Sequence, residues 1–350
     1  MAKHKISRRT ILQGSAALAG TLALGSWGDV LGGKSIERPT LVVFWLNGGP
    51  AGLFNSANSF LRSGAFGVTE QNVRDLGNGL FVDAQSFGSL PSAALSHMSS
   101  INFRHGILRP HDHARAAVLQ EGSRSQLLRL AAEMPEAPVR CAAVNDIGFP
   151  VGVTSTVPAE NGATLERVVD VAAVMKQLPT KKVKEVQGVY GMPNDQLAIN
   201  DQRSTFAAVE LLVHTGTSVI FAQPAYTGRK DRQFDTHNDD AGTASREVMM
   251  PITPALRIFL DRTLSMRGRN VVTLLVGEFS RTIPKSDHEP GGTATVIGKY
   301  VKTGTTGPQS ADGAPPENAP PPAALWAYVA SALRISGTPF GRNLYPELIV

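Results

Sequence analysis

Chemistry-bearing side chains gather in four segments of this sequence, each placed where an apolar run ends. The first is Phe234-Asp235-Thr236-His237-Asn238-Asp239-Asp240. In extended backbone, residues i and i+2 project from one face, so Asp235 and His237 can reach a single ion. Carboxylate oxygen and neutral imidazole nitrogen are good ligands for zinc, manganese or iron. Asp239 or Asp240 equally suits the cap of a helix starting near Ala241. The second segment, Leu275-Val276-Gly277-Glu278-Phe279-Ser280-Arg281-Thr282, delivers a carboxylate from an uncharged strand. Glu278 fits a metal ligand or a base, and Arg281 fits an anion contact through its planar guanidinium. A plain surface ion pair between the two is the alternative. The third segment, Ser286-Asp287-His288-Glu289-Pro290, follows closely enough for a loop to return His288 to the edge that holds Glu278, although His288 also suits a turn. The fourth is Arg109-Pro110-His111-Asp112-His113-Ala114-Arg115, with His105 just before it. There His111 and His113 can ligate a second ion or donate to a substrate anion, and Asp112 can cap a helix. A solvated helix start accounts for them equally well. His97 and His214 read as structural, His214 lying near a helix C-terminus where a cation is favoured.

These segments need a scaffold. Thr40–Leu46 is a continuous apolar run ending in Asn47-Gly48-Gly49-Pro50, as in a buried parallel strand entering a tight turn. Further strands are expected at Ile101–Ile107, Val139–Val144, Ser218–Ala222 and Asn270–Val276. Helical periodicity covers Arg115–Glu133, Thr164–Leu178, Gln202–Thr215, Ala244–Arg267 and Ala323–Leu333. This alternation predicts an α/β layer architecture with a mostly parallel sheet, and open sheets of that kind bind ligands at the C-terminal edge of their strands. The glycine-rich stretch from Asn55 to Pro91 reads as a cap or an irregular insertion over the sheet edge, and the Gly/Pro-rich stretch Gly304–Pro322 as an exposed loop. Cys141, the only cysteine, reads as a buried strand residue and excludes an intrachain disulfide.

The N-terminus carries an address. Ser7-Arg8-Arg9-Thr10 precedes a weakly apolar stretch from Ile11 to about Leu24, the order of a twin-arginine signal, and the stretch is too short and Gly/Ala-rich for a membrane anchor. Four of the 34 basic residues, Lys3, Lys5, Arg8 and Arg9, belong to this segment, which leaves 30 against 29 acidic ones. A near-neutral remainder without basic-aromatic interleaving excludes nucleic acid as a partner. The expected organisation is a signal and linker over residues 1–33 and one α/β domain over 34–350, with no transmembrane span left after signal removal. The twin-arginine translocation machinery is then the export partner, and the destination is periplasmic or secreted.

The arginine pair, Leu46-Asn47-Gly48-Gly49-Pro50, Phe234-Asp235-Thr236-His237, Gly277-Glu278-Phe279-Ser280-Arg281-Thr282 and Asp287-His288, in this order, resemble domain-of-unknown-function family 1501. That family is similar to the alkaline phosphatase and sulfatase superfamily. The resemblance implies a three-layer α/β/α sandwich with divalent metal at the C-terminal edge of the sheet, held by Asp235, His237, Glu278 and His288; zinc, manganese and calcium are not distinguished. It also implies a metal-dependent hydrolase-like protein acting on phosphate or sulfate esters, with Asn47, His111, His113 and Arg281 as candidates for catalysis or anion contact. Two departures stand out. Ala51 and Leu53-Phe54-Asn55 replace the family's usual serine and following aspartate, and Asn47 stands where superfamily enzymes often present an aspartate ligand. With no serine or threonine to name as nucleophile, a non-catalytic exported binding protein on the same fold is the alternative.

Overall fold

The computed structural model describes residues 37–350 except 138, 145–164, 168–177, 193–201, 225–232 and 283–284, and at 165–167 the backbone only. The signal segment therefore lies outside the described residues. Eight strands form the central sheet: β1 (Arg38–Trp45), β2 (Met98–Arg104), β3 (Cys141–Val144), β4 (Leu165–Arg167), β5 (Val219–Ala222), β6 (Arg269–Val276), β7 (Gly291–Gly298) and β8 (Gly304–Thr305). Their spatial order is β8-β2-β7-β6-β1-β5-β3-β4. Every neighbouring pair is parallel except those made by β7, which runs antiparallel to both β6 and β2.

β1 shows why the layers form. Its sequence, rich in β-branched and aromatic residues, is buried on both faces and pairs along its whole length with β6, Leu41 opposite Val272 and Trp45 opposite Val276. Because side chains alternate, Val42, Phe44 and Leu46 enter one core and Leu41, Val43 and Trp45 the other. The first core is covered by α3 (Thr180–Val189), α4 (Gln202–Thr215) and α6 (Ile252–Leu264), where Phe44 packs tilted on Phe206 at 4.4 Å and meets Phe259 edge-on at 5.5 Å. The second is covered by α1 (His111–Leu119), α2 (Gln126–Glu133) and α7 (Pro322–Ala332), with Trp326 donating its indole N–H to Val118 O at 2.7 Å. This is a three-layer α/β/α sandwich with a mostly parallel sheet. Cys141 is buried in β3, and burial pushes its thiol up to about 12.

Several expected elements differ. The helix expected over Arg115–Glu133 is two helices, α1 and α2, separated by a small ribbon that turns at Gly122 with φ +60°. The helix expected over Ala244–Arg267 breaks into α5 (Thr243–Met249) and α6, because Pro251 lacks the N–H that continuity requires. Leu165–Arg167, expected to begin a helix, instead pairs with β3 as β4, and residues 168–177 of that expectation lie outside the described residues. The stretch Asn55–Pro91 is irregular as expected, but it packs onto the core beside α4 and α6, burying Phe60, Phe66, Val82 and Phe87. The segment Gly304–Pro322 is not merely exposed. Gly304–Thr305 adds an edge strand, and Gln309 is buried with its amide donating to Ser280 Oγ. Among the described residues, no helix is long and apolar enough to cross a membrane.

Parallel strands place their C-termini at one edge. Asn47 follows β1, His105 and α1 follow β2, Asp235 follows β5, and Glu278 follows β6. β7 begins at the same edge, Gly291 lying opposite Arg104, so His288 just before it arrives there as well.

Candidate metal centre

Close approach of three chain segments builds the site, and Gly48 and Gly49 permit it. With φ of +97° and +80°, both adopt backbone geometry that L side chains disfavour, and a Cβ at either would overlap the backbone of Asp235 or Phe279. The turn thus presses β1's exit against both ligand segments. Gly48 N–H donates to Glu278 Oε1 at 2.9 Å, and Phe234 N–H donates to Asn47 O at 2.9 Å.

His111, Asp235 and His288 each offer one ligand atom, all within 4.8 Å of one another. His288 Nε2 lies 3.1 Å and His237 Nε2 3.0 Å from Asp235 Oδ1, while His111 Nε2 lies 3.5 Å from Asp235 Oδ2. His111 Nδ1 lies 2.8 Å from Glu278 Oε1. Of the four residues carried over by resemblance, Asp235 and His288 belong to this group, His237 touches it through Asp235, and Glu278 is set apart from Asp235 by the His111 ring, which contacts Glu278 through Nδ1 and Asp235 through Nε2.

Charge in the cluster is strongly coupled. Hydrogen bonds to Asp235 and then to Glu278 push His111 up to about 9, so without a metal it bridges the two carboxylates as an imidazolium. Burial alone would raise the Asp235 carboxyl; hydrogen bonds from His111 and His288 and the charge of Arg281 outweigh it and hold the carboxyl well below its ordinary range.

The donor set fits a divalent cation. Ligands bonded at about 2.0–2.1 Å in a tetrahedron stand roughly 3.4 Å apart, and the spacings around Asp235 are of that order. Glu278 is 0% exposed, yet among the described residues its Oε2 has no hydrogen-bond partner. A buried carboxylate oxygen without a donor is costly unless a cation or proton meets it.

Supporting residues hold the ligands in place. Arg281 is fully buried and spends its guanidinium on the protein: Nε donates to Gly49 O at 3.0 Å, Nη1 to Ser286 O at 3.3 Å, and Nη2 to Asp235 Oδ1 at 2.9 Å. The surface ion pair with Glu278 is corrected by this geometry, since both residues are buried and Arg281 instead anchors Asp235, with all three guanidinium nitrogens donating to the protein. The ring of Phe279 stacks on His288 at 4.2 Å with an 8° tilt and meets His111 edge-on at 5.0 Å. His105 accepts the Ile107 N–H at Nδ1 and donates from Nε2 to Glu278 O at 2.6 Å, and burial holds its pKa below the ordinary value. Those two hydrogen bonds fix the backbone that carries Glu278.

Other candidates separate from the site. His111 and His113 lie within α1, where residues two apart diverge, so His111 joins the cluster and His113 is exposed. The pair cannot act together. Asp112 sits inside the first turn and accepts only the neighbouring His113 N–H at 3.0 Å. Asp239 binds the start of α5, accepting from Ala244 N at 3.0 Å and Ser245 N at 2.8 Å, which is the capping role expected of it. Asn47 is engaged on both ends of its amide, by Arg115 Nη2 and by Gln233. His214 pairs with buried Glu210 at 3.4 Å, away from the cluster. Sequence reasoning placed His105 with the fourth segment but gave no role to Phe279 or Arg115; Arg115 left a usable trace there, its spacing of four from His111.

No family model and no curated protein matches this chain. Among solved structures, the lipoteichoic acid synthase LtaP from Listeria monocytogenes is 12% identical over 89% of this chain and 76% of that chain, with a TM-score of 0.42. Ps i-CgsB, crystallised with k-i-k-neocarrahexaose, is 12% identical over 89% of this chain and 75% of that chain, with a TM-score of 0.38. Likeness of this degree decides nothing about chemistry, which rests on the side chains described above.

Proposed function

We propose that this chain is an exported, metal-dependent hydrolase-like protein acting on a phosphate or sulfate ester. The observation that carries this reading is the convergence of His111, Asp235 and His288 beside Glu278, a fully buried carboxylate with one oxygen lacking a donor. The motif resemblance to family 1501, and through it to the alkaline phosphatase and sulfatase superfamily, supports the reaction class. The arginine pair Arg8-Arg9 supports export to the periplasm or beyond, with residues 1–33 as the signal and the remainder as one domain.

Asp235, His288 and His111 would hold the ion, with His237 and Glu278 at its flanks. A bound divalent cation supplies Lewis acidity toward an ester oxygen and makes a water or hydroxyl a stronger nucleophile at neutral pH. The protein's own part is positional. Arg281 fixes the Asp235 carboxylate, Phe279 fixes the His288 ring, and His105 with Gly48 fixes Glu278. For His111 Nε2, the nitrogen facing Asp235, to become a ligand it must shed its proton, while Nδ1 keeps its own and donates it to Glu278 Oε1 at 2.8 Å.

A second reading, a non-catalytic binding protein on this fold, draws support from Asn47, whose amide is tied to Arg115 and Gln233, and from Ser280, whose hydroxyl donates to Gly313 O at 2.8 Å. Hydrolysis of aryl phosphate and aryl sulfate esters by the purified protein, with zinc, manganese or calcium added, separates the two. Metal-dependent turnover abolished in Asp235→Ala supports the hydrolase. Metal binding with no turnover of either ester class overturns it in favour of the binding protein.

A further inference from the structure

We infer that Arg115 holds the anionic oxygens of the ligand, a tetrahedral phosphate or sulfate group, beside the metal centre; this assignment rests on the ester reading above. Arg115 stands four residues after His111 on α1, so the two share one face of the helix. Its Nη2 donates to Asn47 Oδ1 at 2.5 Å, and the next residue, Gly48, is the one whose N–H holds Glu278. The guanidinium is therefore fixed at the same strand terminus as the ligand cluster.

Its electrostatic situation differs from that of the arginines paired with carboxylates, and Arg269, which also has a buried nitrogen without a hydrogen-bond partner and, among the described residues, no carboxylate beside it, lies at the opposite end of the sheet, at the start of β6. Arg281 is neutralised by Asp235 at 2.9 Å, Arg246 by Asp83 at 3.1 Å, and Arg262 by Glu210 at 2.7 Å. Arg115 has a neutral amide as its side-chain partner, and among the described residues no carboxylate pairs with it. Its Nε is buried without a hydrogen-bond partner, and its guanidinium carbon lies 6.0 Å from the centre of the Trp45 ring. A half-buried cation with an unspent donor is unfavourable in isolation and becomes favourable when an anion completes it. The planar fork of a guanidinium matches two oxygens of a tetrahedral oxyanion. Asparagine at position 47 now has a reason: an aspartate there would neutralise Arg115 and repel the ligand, whereas the amide positions Arg115 and leaves its charge available.

The test is calorimetric titration of the purified wild-type protein, Arg115→Gln and Arg115→Lys with inorganic phosphate and, separately, with sulfate, each with and without zinc loaded. Bound zinc is counted by elemental analysis, and folding is checked by circular dichroism. The expected result is at least a tenfold loss of oxyanion affinity in Arg115→Gln, partial retention in Arg115→Lys, and unchanged zinc content in both. Comparing the two anions shows which ester the site favours. Equal oxyanion affinity in wild type and Arg115→Gln, or no oxyanion binding by the wild type in any titration, overturns the assignment. Failure of zinc to bind the wild type overturns the metal reading instead; the zinc-free titrations then decide on Arg115 by the same tenfold criterion.

Discussion

Replacing Arg281 with methionine separates a side chain that holds Asp235 from one that holds ligand. Methionine fills much of the same volume but returns none of three hydrogen bonds, to Gly49 O, Ser286 O and Asp235 Oδ1. All three bonds are donated by a cation, a class worth about 1.5–3 kcal/mol each, but methionine also lifts the cost of burying the charge, so about 1 kcal/mol net per bond sets the low end of the loss. Asp235 is 36% exposed, so water screens the ionic contribution and the low end applies, for a total of about 3 kcal/mol. With a urea m-value near 3 kcal/mol/M, the unfolding midpoint falls by about 1 M. Freed from its anchor, the Asp235 carboxylate also loses its orientation, and zinc affinity drops by about 10- to 100-fold. Urea denaturation of the metal-free protein and zinc titration against a competing chelator read the two effects. An unchanged midpoint and unchanged zinc affinity, with only oxyanion binding weakened, would refute the positioning role and return Arg281 to ligand contact.

Two further predictions follow from the layers around the sheet. Phe44→Ala, which removes a fully buried ring packed on Phe206 and Phe259, destabilises the protein by about 3–5 kcal/mol in denaturant unfolding while zinc content stays at the wild-type level. Glu210 is buried, which raises its pKa, but His214 at 3.4 Å and hydrogen bonds from Arg262 and Tyr190 outweigh burial and bring the carboxyl below its ordinary value. A depressed folded-state pKa means that this stabilisation is present above about 4.5 and lost as pH falls through the lower folded value. The stability gap between wild type and Glu210→Gln, measured by urea unfolding, should therefore narrow from pH 6 to pH 3; a constant gap contradicts the assignment.

What the sequence revealed follows from how local each signal is. β1, β5 and β6 were legible because buried parallel strands are uninterrupted apolar runs, and the edge at which Asp235 and Glu278 appear follows from their shared direction. β7 is absent from the expected strands: Gly291-Gly-Thr-Ala-Thr-Val-Ile-Gly298 carries three glycines and no long apolar run, and pairing with β6 and β2 makes it a central strand. The nearness of Asp235 and His237 was readable in the chain, but His237 lies in a turn and meets Asp235 directly at 3.0 Å, while the group that can hold an ion is His111, Asp235 and His288. The role of His111 as a bridge was not, because it depends on how α1 docks between loops distant in sequence. The Arg281 expectation failed for a related reason: sequence places an arginine near a carboxylate but does not say which carboxylate, nor that the guanidinium is sealed beneath Gly49.

Elemental analysis of the purified protein after dialysis against zinc-containing and then zinc-free buffer tests the central claim most directly. The account predicts one tightly held divalent ion per chain in the wild type, and loss of that ion in Asp235→Ala and in His288→Ala. No retained metal in the folded wild type, or full retention in both variants, would contradict it.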